Sequence, residues 1–322
     1  MLNFIVTTDS GCDLPYSLLQ EREIIPFPIE YEIDGKVIAD TMLHEDCKKF
    51  YDSMREGAVP KTSQINVMQF VDFWRPLTAK GLPIVHISLG SGISGTYSNG
   101  LAAMDILKEQ GQICLGCGIS GTYSNGAVAA GLLKKENPEA KIFLVDSTLA
   151  SVGYGMLSLI AADMRDNGKT PEECVNWLNA HKAEINTYYT TSDLTYLYRS
   201  GRVSRTGMII AHALDINPIL NLDLEGHLIV QEKIRGHKKT IRRIQEIISE
   251  LVADPGGQTL YICHSDIPEE AREFGDALKE KIEFKDVYYT YIGTTIGAHA
   301  GPGLMAAFFF GKPRTMKGYK GK

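Results

Sequence analysis

The sequence predicts a two-domain α/β protein, with a parallel-sheet domain first and an α+β domain second. A chain of 322 residues exceeds what one core serves, since single cores stop growing at roughly 250 residues. The first half alternates short apolar runs with helical patterns, the signature of crossover units on a parallel sheet. The second half changes to runs that alternate like partly exposed strands, which fits an α+β domain.

The first apolar run, Asn3 to Thr8, reads as a strand ending in Asp9 and Ser10. Asp13 and Pro15 then read as a helix start, because a short acceptor side chain caps free N–H groups and proline suits the first turn. Ser17 to Glu23 is the expected helix. Runs at Ile24 to Ile33, Pro83 to Leu89 and Lys141 to Val145 read as strands, and Val67 to Lys80, with a kink at Pro76, and Ala127 to Lys135 as helices. Tyr154 to Arg165 and Pro171 to Glu184 are helical, and Asn167-Gly168-Lys169 between them is the expected domain boundary, giving domains 1–168 and 169–322. Beyond it, Asn186 to Thr191, Asn217 to Asp223, His227 to Glu232, Thr259 to His264 and Val287 to Ile292 read as strands, with a hairpin turn at Glu225-Gly226.

Composition narrows the function classes. With 33 basic and 39 acidic side chains the net charge is −6, which argues against the broad phosphate-binding surface of a nucleic-acid protein. The basic C-terminal positions Lys312, Arg314, Lys317, Lys320 and Lys322 read as a solvated end. Six scattered cysteines and an opening that reads as a strand instead of a signal peptide predict reduced thiols and a cytoplasmic protein. Cys114 and Cys117 form a C-x-x-C without the second pair or histidine that a zinc site needs, so no metal is expected. The clearest apolar run, Leu304 to Phe310, is about a third of the ~20 residues that span a bilayer.

The segment Leu89 to Gly100 returns, with one Ser-to-Cys difference, as Leu115 to Gly126, and each copy runs into a helix-like segment. Two copies are too few for a stacked array, so this is one duplicated loop-plus-helix unit. Each contains G-x-G-x-x-G between a strand and a helix: Gly90, Gly92 and Gly95, then Gly116, Gly118 and Gly121. That context gathers backbone N–H groups and a helix N-terminus around an anion, and it suits a phosphate or a carboxylate equally. A dinucleotide enzyme, with Asp146 as the acidic partner, is therefore one reading, and a glycine-rich turn without ligand is another. A serine hydrolase built on Ser94 or Ser120 with a histidine and Asp9, Asp146 or Asp193 lacks the nucleophile elbow, because threonine stands at its fifth position.

Thr62 and Ser63 precede a helical segment and read either as its N-cap or as hydroxyl donors to the same anion. His299 lies in Gly297-Ala-His-Ala-Gly-Pro-Gly303, where small neighbours allow close approach and Pro302 can open a helix. A structural histidine fits there as well, and the same holds for His264.

In order along the chain, Thr8-Asp-Ser10 with Asp13-Leu-Pro15, Thr62-Ser-Gln64, Ser91-Gly-Ile-Ser-Gly-Thr96, Val145-Asp-Ser147 with Ser151-x-Gly153-x-Gly155, Ser200-Gly-Arg-Val-Ser204 and Ile296 to Gly303 resemble the DegV family. That family comprises the fatty-acid-binding subunits of a bacterial fatty acid kinase system. The resemblance implies a two-domain fold enclosing a lipid tunnel, a bound fatty acid with no cofactor, and a separate kinase subunit as partner. It implies that Thr62, His299 and the second serine of the glycine-rich loop bond the carboxyl group, and that this chain supplies no catalytic residue. Because the loop is duplicated, that serine is Ser94 or Ser120; the longer apolar strand before it favours Ser94. Arg202, within its motif, and the neighbouring Arg235 are the implied contacts with the kinase, and a solvated charged face is the alternative.

Overall fold

The computed structural model describes residues 2–91, 121–201 and 216–316, with residues 121–124 described as backbone only. Strands β1 (Ile5–Asp9), β2 (Ile24–Phe27), β6 (Ile84–Ser88) and β7 (Ile142–Asp146) form a parallel sheet in the order β2-β1-β6-β7. Successive residues of a strand face opposite sides, and here both sides are covered. Ile5 and Ile84 pack with Phe70, Trp74 and Leu133 of helices α3 (Val67–Thr78) and α4 (Gly121–Glu136). Val6 and Val85 turn to Leu157 and Ala161 of α5 (Val152–Asp166) and Leu178 of α6 (Pro171–His181). Helix α3 continues through Pro76 to Thr78.

Two local expectations are corrected. The run Ile24 to Ile33 is not one strand: the chain leaves the parallel sheet after Phe27, and Ile29 N–H donates to Ser10 Oγ. It re-enters as β3 (Glu30–Ile33) in a separate antiparallel sheet with β4 (Lys36–Ala39) and β5 (Lys61–Thr62). Nor does Thr62 or Ser63 cap α3. Asn66 does so, in a reciprocal capping box with Gln69, which leaves Thr62 paired with Tyr31 inside the small sheet.

Helix α6 packs on β6 and β7, so the chain passes to the second sheet at 182–185, beyond Gly168. That sheet runs β10-β9-β8-β13-β11-β12, where β8 is Ile185–Thr191, β9 Ile216–Leu222, β10 Leu228–Arg235, β11 Thr259–His264, β12 Asp286–Tyr291 and β13 Leu304–Phe310. The turn at Glu225–Gly226 joins β9 to β10 as an antiparallel pair. The expectation of partly exposed strands fails at the centre: β8, β9, β11 and β13 are almost wholly buried. The reason is a second cover. Met305, Ala307 and Phe309 face helices α8 (His237–Leu251) and α9 (Pro268–Lys281), while Leu304, Ala306 and Phe308 face the N-terminal half.

The C-terminal basic run is corrected in part. Arg314 is not solvated; its guanidinium donates to Thr148 O at 3.1 Å, Thr148 Oγ1 at 2.9 Å and Asp223 O at 2.6 Å. Burial lowers its pKa to about 10. Lys317, Lys320 and Lys322 lie outside the described residues. The described cysteines, Cys12, Cys47, Cys174 and Cys263, are free and buried. No described helix is long and apolar enough to cross a membrane.

Candidate functional site

The small sheet brings Thr62 to one end of the second domain. His299 sits in the last turn of α10 (Thr294–Ala300), and its Nε2 lies 2.8 Å from Thr62 Oγ1. Pro302 follows this helix instead of opening one, and with Gly303 it forms the turn into β13. Cys47, Phe50 and Tyr51 of α2 (His44–Arg55) pack over α10 at Ala298, so the histidine is held under the small sheet and its helix.

His299 also lines a cavity of about 330 Å³. From α10 and the residue before its cap come Ile292, Ile296 and Ala300; β13 supplies Leu304, Ala306 and Phe308. One row of the sheet explains the space: Ala306 lies between Tyr189 of β8 and Cys263 of β11. Two small side chains at the centre of that row leave room that leucines would fill. At the ~3.4 Å rise of an antiparallel strand, Leu304 to Phe308 spans about 14 Å. Leu222, His227 and Leu228 of the β9–β10 hairpin and Ala150 and Ser151 complete the lining. Burial raises the pKa of both the Tyr189 phenol and the Cys263 thiol well above their ordinary values, so this stretch of wall carries no charge. A mostly apolar cavity with a few polar groups in its lining, His299 among them, suits an amphiphile with a small head group.

The other candidates separate clearly. Asp146 accepts from Ser91 N–H at 3.0 Å, Ser91 Oγ at 2.5 Å and Thr148 N–H at 3.1 Å, so its carboxylate pins the start of the glycine-rich loop. Gly90 is glycine for a similar reason: an added Cβ would stand 2.4 Å from Leu149 N. Both features serve packing between 90–91 and 146–149, which weakens the dinucleotide reading. Asp9 accepts from Gly11 N–H at 3.1 Å and Tyr154 Oη at 2.5 Å, and burial raises its pKa to about 6. His264 Nδ1 accepts from Ile267 N–H, and burial lowers its pKa to about 4, which suits a structural histidine. Ser94, Ser120, Arg202 and the Cys114–Cys117 pair lie outside the described residues. Arg235 is exposed at the end of β10. No group of His, Cys, Asp and Glu among the described residues could hold a metal ion.

The apolar wall was the part that sequence reasoning missed. Leu304 to Phe310 is a continuous apolar run of strand length, the pattern of a strand buried on both faces.

Comparison with known proteins identifies similar chains and folds. A family model described as "Uncharacterised protein, DegV family" matches residues 3–116 and 112–312. The two matches overlap at residues 112–116, where the second copy of the repeat begins. The chain is 32% identical over 312 residues to a DegV domain-containing protein of Clostridium perfringens, covering 97% of this chain and 98% of that one. Among solved structures it is similar to DegV of Bacillus subtilis, described as a fatty acid binding protein, with a TM-score of 0.77, 25% identity and coverage of 97% and 100%. It is also similar to a Thermotoga maritima protein whose structure is said to reveal a fatty acid binding function, with a TM-score of 0.75, 25% identity and coverage of 97% and 100%.

Proposed function

The chain belongs to the DegV family, and from that premise we propose that it binds one long-chain fatty acid and presents the carboxyl group to a separate kinase that makes the acyl phosphate. The observation that carries this reading is the apolar cavity that His299 lines at the point where Thr62 bonds to it. An acyl tail needs only apolar surface, at about 0.8 kcal/mol per buried methylene, whereas a carboxylate needs a few convergent donors. In this reading the carboxylate takes the place of the Thr62–His299 bond, so that the Thr62 hydroxyl and the His299 Nε2–H both turn to it as donors. The chain binds and orients, and the kinase supplies the chemistry.

A third donor comes from the duplicated loop. Ser120 directly precedes α4, whose Asn125 Nδ2 donates to Ile65 O at 2.7 Å, three residues from Thr62. That docking supports Ser120 over Ser94, and Ser120→Ala is expected to weaken fatty-acid binding more than Ser94→Ala. Arg202 and the exposed Arg235 are the proposed kinase contacts.

Calorimetry of delipidated protein tests the reading. Oleate is expected to bind at about one equivalent and to stabilise the fold, as any ligand of the native state does. NAD that raises the melting temperature, with oleate inert, would overturn it in favour of the nucleotide enzyme.

A further inference from the structure

Two motifs of the sequence, the one holding Asp13 and the one holding Ser151, lie outside the Thr62–His299 pair. The expectation that Asp13 starts the first helix is not met. The helix Tyr16–Glu21 is preceded by Pro15 without a side-chain cap, and Asp13 takes a left-handed conformation, φ 54°, at the end of a short turn. Its carboxyl group goes elsewhere in the fold. Oδ1 accepts from Gly293 N–H at 2.9 Å, and Oδ2 is hydrogen-bonded to Ser151 Oγ. Its backbone carbonyl accepts from Thr290 Oγ1 at 3.1 Å.

Gly293 is the N-cap of α10, the helix that carries His299. We propose that Asp13 is a positioning residue for His299: it anchors the start of that helix to the N-terminal domain and so fixes the imidazole beside Thr62. The inference rests on the fatty-acid reading and extends it to a residue that touches no ligand. A backbone N–H at a helix start needs an acceptor from outside the helix, and here the acceptor comes from 280 residues away. The fit is close. A Cβ on Gly293 would stand 2.8 Å from Asp13 Oδ1, so even alanine there presses on the carboxyl group. Tyr51 Oη holds the preceding carbonyl, Ile292 O, at 2.8 Å. His299 follows six residues after Gly293, about 9 Å along a helix at 1.5 Å per residue, with too few turns to absorb a shift at its start.

Burial without a cation nearby raises the Asp13 pKa well above the ordinary carboxylate value. A neutral carboxyl group and an amide then offer the same oxygen to Gly293. This makes asparagine the conservative replacement and alanine the disruptive one.

The test compares oleate with oleyl alcohol, which shares the tail and lacks the carboxylate, by calorimetry on delipidated wild type, Asp13→Ala, Asp13→Asn and Gly293→Ala. Asp13→Ala is expected to lose about tenfold in oleate affinity, the weight of one hydrogen bond to a charged group, and to bind the alcohol within about twofold of wild type. Asp13→Asn is expected to recover most of that loss. Gly293→Ala, whose backbone conformation suits alanine, is expected to repeat the selective loss and decides the question if Asp13→Ala does not fold. Unchanged oleate affinity in Gly293→Ala and Asp13→Ala, or an equal loss for acid and alcohol, would overturn the positioning role alone. Wild-type protein that takes up neither ligand would overturn the fatty-acid reading beneath it.

Discussion

Thr62 Oγ1 and His299 Nε2 are hydrogen-bonded at 2.8 Å across 237 residues of sequence. One sits on a two-residue strand of the small sheet and the other in the last turn of a helix in the second domain. Their meeting ties the proposed head-group site to the docking of the two halves. His299→Ala is expected to weaken oleate binding about 10- to 100-fold and Thr62→Val about tenfold, the range for hydrogen bonds to a charged group. Titration calorimetry checks both, and affinities within twofold of wild type would remove the pair from the site.

The volume of the cavity depends on Ala306, between Tyr189 and Cys263. Ala306→Phe is expected to fill the space and abolish binding of an 18-carbon acid, while the cost to stability stays within about 1–3 kcal/mol because the new ring enters existing room. Competition among acids of graded length reads the outcome. Retained binding of the longest acid would place the tail elsewhere.

Asp9 links stability to pH. Its carboxyl group titrates at about 6 in the folded protein against an ordinary 3.8, chiefly because burial disfavours the charge. The folded chain therefore holds a proton that the unfolded chain has lost, and this contribution is complete below pH 3.8 and lost as the pH rises through 6. Asp9→Asn is expected to be more stable than wild type at pH 8 by about 1–3 kcal/mol, with the advantage gone at pH 4. Buried His86 works in the opposite sense: burial lowers its pKa from 6.5 to about 3, so its contribution is complete above 6.5 and lost as the pH falls through 3. Urea midpoints of variant and parent at each pH isolate the Asp9 effect, and a difference independent of pH would contradict it.

Arg314 joins the β9–β10 hairpin to the segment after β7 through Asp223 O and Thr148. Arg314→Ala leaves Thr148 O without its donor, at about 1–3 kcal/mol, and leaves Asp223 O with the Gly226 N–H alone. A lower melting temperature is expected, with the loosening greatest at Asp223–His227, where amide exchange should accelerate. Exchange unchanged in that hairpin would deny the anchoring role.

Much of the fold was legible because local rules sufficed. Continuous apolar runs bounded by Pro, Gly and Asp gave β1, β6 and β7, and the Thr170–Glu173 capping box opens the helix expected at Pro171. Sequence reasoning failed where a residue answers to a distant partner. Asp13 before Pro15 looks like a local cap, yet its acceptor oxygens serve Gly293 and Ser151. Arg314 looks like a frayed tail, yet it is buried and bonded to Thr148, Asp223 and Lys182. Thr62 and His299 were indicated by family resemblance, since no spacing rule relates residues so far apart. The cavity wall escaped notice because Ala306 and Cys263 matter through the volume they leave empty.

Native mass spectrometry of the protein purified from bacteria, followed by solvent extraction, tests the central claim most directly. The expected result is a mass excess that disappears on denaturation and a long-chain fatty acid recovered at about one equivalent, as a ligand of the native state alone would behave. A protein that carries no lipid and takes up neither oleate nor palmitate when offered would contradict it.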